Sequence, residues 1–205
     1  MNYESLCKVI ASISDIMTEN KDYLVSLDQQ NGDGDLGISM ASGYEAVRNY
    51  VNSAEERDLG KLLMKCSSVF NEAAPSSLGT ITSIGFMGMA KALKGKEDGS
   101  FADCIDALDA GLNKIMEKAK SKPGEKTILD ALYPAIESLK VNKDGDKAAV
   151  LKSAAEAAAK GSEDTKNMRS VHGRAAYYAD NSIGTLDGGS VVGKLIFEAI
   201  YKCYC

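Results

Sequence analysis

The sequence predicts an all-α protein of about eight helices, on three observations. Apolar residues recur three and four positions apart in stretch after stretch. Sustained apolar–polar alternation, the mark of a half-buried strand, is missing. The Asn-Gly pair at residues 31 and 32 follows a helical stretch instead of joining two β-branched runs. The segments between the periodic stretches are short and polar, as helix-to-helix connections are.

Each element follows from its own pattern. Leu6, Val9, Ile10, Ile13, Ile16 and Met17 share one helical face, giving a first helix from about Tyr3 towards Leu27. A glycine- and aspartate-rich segment interrupts it. A second helix is expected from Ile38 to Val51 and a third from Leu59 to Phe70. Pro75, Ser76 and Ser77 are an N-terminal signal for a fourth, from Leu78 to Leu93. Phe101, Cys104, Ile105, Leu108, Leu112, Ile115, Met116 and Ala119 form the cleanest amphipathic stripe and a fifth helix. "KPGEKT" then breaks the pattern. A sixth helix follows from about Thr127 to Leu139, where Pro134 should kink the chain or loosen a hydrogen bond. The alanine-rich "KAAVLKSAAEAAAKG" is the seventh, with Gly161 as its stop. The eighth starts after "LDGGS" and runs to about Tyr201. Between the last two lies the longest irregular segment, Ser162 to Gly189, and a loop of that length in a compact domain is functional or disordered.

A chain of 205 residues fits one domain, and 44% hydrophobic residues suffice for a core. A net charge of -5 with no basic run argues against nucleic acid and acidic membrane surfaces as partners. The five cysteines are odd in number and include no C-x-x-C. Cys7, Cys66 and Cys104 fall in apolar helical patterns and read as buried thiols, while Cys203 and Cys205 read as an incidental tail. This usage fits a reducing compartment. The start "MNYESLCKVIASISD" lacks the basic and apolar regions of a signal peptide, and no apolar stretch reaches the ~20 residues needed to span a bilayer. The expectation is a cytoplasmic protein.

The segment "LDQQNGDGDLGISM", residues 27–40, carries the chemistry. Gly32, Gly34 and Gly37 spell G-x-G-x-x-G, yet a dinucleotide turn needs a preceding strand inside a βαβ unit, and a helix precedes here. A calcium loop needs carboxylates at positions 1, 3 and 5, glycine at 6 and glutamate at 12, and no register of this segment supplies them. Two readings stay open. One is a solvated turn, since Asp, Asn and Gly are common turn residues. The other is a Mg²⁺ site, with the glycines bending the backbone so that Asp28, Asp33 and Asp35 point at one place. The N–H groups of the next helix, from Gly37 to Ser39, would face the same spot and favour phosphate, the cations lying between the two sets of negative charge.

"LDQQNGDGDLG" resembles the L-D-x-x-x-G-D-G-D-H-G signature of the nucleotide-binding L subunit of dihydroxyacetone kinase. "SSLGTI", "KPGEKTILDALYPAIESL" and "GRAAYYADNSIGTLDGGS" resemble three further segments of that family in the same order. The resemblance implies an eight-helix antiparallel barrel or bundle with the nucleotide site at one end, formed by the single domain 1–205. It assigns two Mg²⁺ ions to Asp28, Asp33 and Asp35. It assigns ADP or ATP to Leu36, Gly37, Ile38 and Ser39, to Ala74, Pro75, Ser76, Ser77, Gly79 and Thr80, and to Ala119, Ile128, Arg174, Asp187, Gly188 and Gly189. It implies a kinase subunit that transfers a phosphoryl group to dihydroxyacetone held by a separate K subunit. A phosphohistidine-bearing M subunit in some versions, and a homodimer, belong to the same picture.

Three departures from the family pattern stand out. Leu36 replaces a histidine, Ala74 and Pro75 replace a Ser-Gly pair, and Gly188 replaces a proline. They leave room for a kinase subunit acting on another small ketose or polyol, or for a regulatory partner that senses Mg-ADP without turnover. Five other residues invite a role. His172 is the only histidine and reads as structural or incidental, not as a phosphocarrier. Lys122 and Lys126 flank the "PGE" turn and read as solvated. Tyr177 and Tyr178 suit either adenine stacking or packing in the core or a lid.

Overall fold

The computed structural model describes residues 1–30 and 32–204; Asn31, inside the aspartate segment, and Cys205 lie outside the described residues. Nine α-helices are found among the described residues: α1 Tyr3–Glu19, α2 Lys21–Asp28, α3 Leu36–Ser53, α4 Leu59–Ala73, α5 Ser77–Ala92, α6 Phe101–Ala119, α7 Leu129–Asn142, α8 Lys147–Asp164 and α9 Gly188–Lys202. Two short 3-10 segments, Thr165–Asn167 and Arg174–Ser182, lie between α8 and α9. The described residues contain no strand.

Eight of these helices form a closed ring. Going round it, α1 packs on α3, and then α4, α5, α6, α7, α8 and α9 follow in turn until α9 returns to α1. The short α2 touches α1, α3 and α9 and covers part of one end. The expected eight-helix barrel is therefore the observed one, and the ninth helix arises because the expected first helix divides. Asn20 divides it: its side-chain amide donates to the Ile16 carbonyl at 2.8 Å, competing with the next helical hydrogen bond.

Neighbours in the ring run antiparallel. Ser67 of α4 donates to the carbonyl of Ser83 in α5 at 2.8 Å, and Ser12 of α1 to Ala199 of α9 at 3.0 Å. This alternation sends the connections before α3, α5, α7 and α9 to one end of the barrel. The termini and the remaining connections gather at the other, where Gly99 donates to Met1 and Leu59 to Lys96.

Side-chain caps fix most of the helix starts. Asn2 with Ser5, and Ser100 with Asp103, form reciprocal capping boxes, and Asp58, Ser76, Asp146 and Asp187 accept from first-turn N–H groups. Such a cap is worth about 1 kcal/mol.

The core divides into two apolar clusters. One centres on Met17, Met40, Leu62 and Phe70, where Tyr44 meets Phe70 edge-on at 4.9 Å; the other centres on Leu129, Ile136, Leu139 and Phe197. An apolar cavity of about 760 Å³ lies inside the ring, lined by residues including Leu6, Phe86, Leu112 and Ile136. Asp98, Phe101 and Tyr204 also line it, which places its reach towards the end with the termini, and none of the three aspartates borders it.

Three expectations need correction. Gly161 does not stop its helix, because α8 continues to Asp164. It sits where α8 approaches α7, so close that a Cβ would lie 2.0 Å from the carbonyl oxygen of Asp130. Cys66 is buried as expected, but Cys7 and Cys104 are only half-buried, because each sits on the edge of its helix's apolar stripe. The eighth predicted helix starts earlier than "LDGGS" suggested, since Asp187 caps it and both glycines are already helical.

The contact at Gly161 predicts that Gly161→Ala separates α7 from α8 and destabilises the protein by ~1–3 kcal/mol, the range for overpacking. Urea unfolding would measure this as a lowered midpoint with unchanged slope.

Candidate functional site

Asp28 closes α2, and the chain then turns through Gly32 and Gly34 into α3. Gly34 adopts φ +79°, a conformation an L side chain rarely tolerates. The turn folds over Asp28, whose Oδ2 accepts from the N–H groups of Gly34 at 2.7 Å and Asp35 at 3.1 Å. This anchored carboxylate is half-buried, while Asp33 and Asp35 are exposed. One carboxylate oxygen from each of the three lies within 4.8 Å of the others. The Asp35 carboxyl is held above the ordinary range by desolvation first, then by Asp33 and Asp28, with Arg174 opposing.

A second chain segment reaches this cluster. The stretch from Thr165 to Leu186 crosses the same end of the barrel, and its Arg174 guanidinium forms an ion pair with Asp33. The distance in sequence between the two partners is large, so the contact ties the longest connection of the fold to the aspartate turn.

The starts of three ring helices complete the surroundings. Asp35 occupies the N-cap position of α3, yet its side chain makes no capping hydrogen bond. The Ser39 N–H already bonds the Asp35 carbonyl at 2.9 Å, so the N–H groups open to a ligand are those of Leu36, Gly37 and Ile38, one residue earlier than expected. Leu36, Gly37 and Ser39 are buried and Ile38 is exposed. At the start of α5, Ala74 is buried and Pro75 exposed; Ser76 caps the helix by accepting from Gly79, with Ser77 and Thr80 exposed on its first turn. At the start of α9, Asp187 accepts from the Ser190 N–H at 2.6 Å. Gly188 and Gly189 are half-buried.

Two departures from the family pattern prove to be neighbours. A Cβ on Gly188 would lie 2.5 Å from Leu36 Cδ2. The leucine thus fills space that any side chain at 188 would claim, and the two positions account for each other. Gly189 faces the backbone of Ile128, which is buried ahead of α7. Ala119 ends α6, half-buried against the second apolar cluster, and is the predicted site residue most clearly tied to core packing.

The turn from Ser121 to Ile128 holds residues whose importance the sequence reading missed. Lys126 is not solvated: it is 5% exposed, and its ammonium donates to the carbonyls of Met168, Ser182 and Thr185. Lys122 is exposed, as expected. Buried Asp130 accepts from the N–H groups of Gly124 and Thr127 and so shapes the turn. "TILD", residues 127–130, is a T-x-x-D capping pattern and was the available signal. His172 pairs with Glu125 at 2.6 Å, consistent with a structural role. That contact, and the Lys122 N–H, hold the Glu125 carboxyl down at about 2. Tyr177 is 89% exposed and Tyr178 is also exposed, so neither belongs to the core.

Burial pushes the Asp187 carboxyl up to about 7; nearby Asp130 and Asp28 add to this, and the Ser190 N–H and Lys126 oppose it. A carboxyl raised on folding binds its proton more tightly than in the unfolded chain. Stability therefore falls as pH rises from its ordinary value of 3.8 to about 7. Asp187→Asn keeps a capping oxygen and removes the titration. Its urea midpoint relative to the parent should rise between pH 5 and pH 8, and a pH-independent difference would contradict the assignment.

The DAK2 domain family matches residues 30–202 of this chain. The ADP-binding subunit DhaL of PEP-dependent dihydroxyacetone kinase 1 from Listeria innocua is 31% identical over 193 residues, covering 90% of this chain and 88% of that protein. Human triokinase/FMN cyclase is 30% identical over 185 residues, covering 89% of this chain but 32% of the larger protein. Among solved structures, the dihydroxyacetone kinase from C. freundii in complex with AMP-PNP and Mg²⁺ superposes with a TM-score of 0.77 at 22% identity. It covers 96% of this chain, which spans 33% of that one, and the likeness is one of fold.

Proposed function

Because the chain belongs to the DAK2 domain family, we propose that it is a single-domain, Mg²⁺- and ADP/ATP-binding L subunit of a dihydroxyacetone kinase. In this reading it is cytoplasmic and passes a phosphoryl group from its nucleotide to a ketose held by a separate K subunit. A phosphohistidine-bearing M subunit would recharge the nucleotide where ADP stays bound. The observation that carries the reading is the meeting of Asp28, Asp33 and Asp35 within 4.8 Å, beside an α3 start that its N-cap residue leaves without a side-chain cap.

The donor set fits the metal. Three carboxylates offer hard oxygen ligands, two of them exposed enough to leave room for water and phosphate, as Mg²⁺ requires. Two bound Mg²⁺ ions would supply charge neutralisation to the β- and γ-phosphates. The chain's own residues do the positioning. The N–H groups opening α3, and the hydroxyls of Ser76, Ser77 and Thr80 at α5, would receive phosphate oxygens. Arg174, paired with Asp33 in the structure, would turn its guanidinium to phosphate once cations neutralise that carboxylate. Ile128, Ala119 and the first turn of α9 would form the wall facing the nucleoside. Exposed Tyr177, Tyr178 and Ile183 would face the K subunit, or stack on the base.

A second reading keeps the nucleotide and changes the acceptor. The paired departures at Leu36 and Gly188 alter the wall beside the aspartates, which suits another small ketose or polyol, or a Mg-ADP-sensing regulatory role.

Calorimetry should show ADP binding that requires Mg²⁺. In Asp33→Asn with Asp35→Asn it should weaken at least a hundredfold (~2.7 kcal/mol, from two lost metal ligands); unchanged affinity would remove the site. Mixed with its K subunit, Mg-ATP and dihydroxyacetone, the chain should yield a phosphorylated ketose. Tight Mg-ADP binding without product would favour the second reading.

A further inference from the structure

The 165–187 segment is long, polar and largely exposed, yet it carries Arg174 to a defined place. It contains no α-helix and little apolar anchorage. Ala179, at φ 47° and ψ -123°, breaks its longer 3-10 stretch. What fixes such a segment is visible on its inner side. Carbonyls from three separate points, Met168, Ser182 and Thr185, converge on the ammonium of Lys126. An ammonium has three protons and no acceptor, so donors and acceptors match in number. Lys126 itself adopts φ 60°, a left-handed conformation uncommon for a side chain of its size, and its turn is braced by Asp130. On the outer side of the same turn, Glu125 meets His172, and its carbonyl accepts from the Val171 N–H at 3.4 Å.

We propose that Lys126 is a positioning residue: its buried ammonium gathers the two arms of the 168–185 segment and thereby sets where Arg174 presents its guanidinium, while touching no nucleotide itself. Glu125 is its outer companion, holding the segment at His172, two residues before Arg174. The inference rests on the reading of Arg174 as a phosphate contact.

Arginine would not substitute for Lys126, because a planar fork cannot serve three converging carbonyls in place of a compact ammonium. Desolvation holds the Lys126 ammonium below its ordinary range, with Asp187 opposing.

Lys126→Met keeps the length and removes the donors. Amide exchange across residues 168–185 should accelerate at least tenfold while exchange in α4 and α5 stays as in the parent, the signature of local opening. Mg-ADP affinity should fall about tenfold, and the double variant with Arg174→Ala should bind no more weakly than Arg174→Ala alone, since both changes remove one contact. Additive losses would overturn the proposal, as they would mean that Lys126 acts on the ligand or on the whole fold. Unchanged exchange in 168–185 would overturn it equally. If Lys126→Met does not fold, Glu125→Gln with His172→Ala releases the outer hold. Faster exchange confined to 168–185, with the same non-additivity, is then expected, and additivity contradicts it. Should Arg174→Ala leave Mg-ADP affinity unchanged, the phosphate reading of that arginine fails, and the exchange data alone decide what Lys126 holds.

Discussion

Bringing three carboxylates within 4.8 Å of one another sets the central constraint of this molecule, because each pair repels and folding alone gains nothing from it. At about 4 Å such a pair repels by about 1 kcal/mol in water and by about 4 at an effective dielectric near 20; the exposure of Asp33 and Asp35 keeps them nearer the lower figure. The turn bears the load in specific ways. Two N–H groups hold Asp28, a left-handed Gly34 lets the chain fold over it, and Arg174 comes across the barrel end to Asp33. Together these keep the charges in place while leaving their outer faces open, which is what a cation between protein and phosphate requires.

The rest of the architecture supplies the frame for that turn. Antiparallel alternation around a closed ring delivers the starts of α3, α5, α7 and α9 to one end, the end that carries the aspartates, with no long-range design beyond short connections. The long connection before α9 is the exception, and it is tied down polar group by polar group. The cavity inside the ring is apolar and reaches towards the opposite end, and none of the three aspartates borders it, although Ile128 lines it from the site end.

Much of this was legible in the sequence because helices announce themselves locally. The stripe from Phe101 to Ala119 marks α6 to the residue, and Pro75-Ser76-Ser77 marks the start of α5 within one. The aspartates and Arg174 were legible as motif residues, and the structure brings Arg174 to Asp33. Other features were hidden for physical reasons. Asn20 divides the first helix by a side-chain hydrogen bond that periodicity does not register. Gly161 looks like a stop by residue type, and only the close approach of α7 reveals its purpose. Lys126 looks solvated because lysine usually is. Its burial depends on three carbonyls more than forty residues away, a tertiary fact without a local trace. The pairing of Leu36 with Gly188 is of the same kind: each reads alone as a departure, and only their contact shows that they belong together.

The central claim is that the aspartate turn holds cations that in turn hold a nucleotide's phosphates. A crystal structure of the protein with ADP and Mn²⁺, phased to reveal anomalous scatterers, tests it directly. Anomalous peaks bounded by Asp28, Asp33 and Asp35, with the diphosphate against the first turn of α3 and the ring near Ile128, are the expected result. Nucleotide bound elsewhere on the barrel, or bound at the turn with no anomalous peak among the three carboxylates, would contradict it.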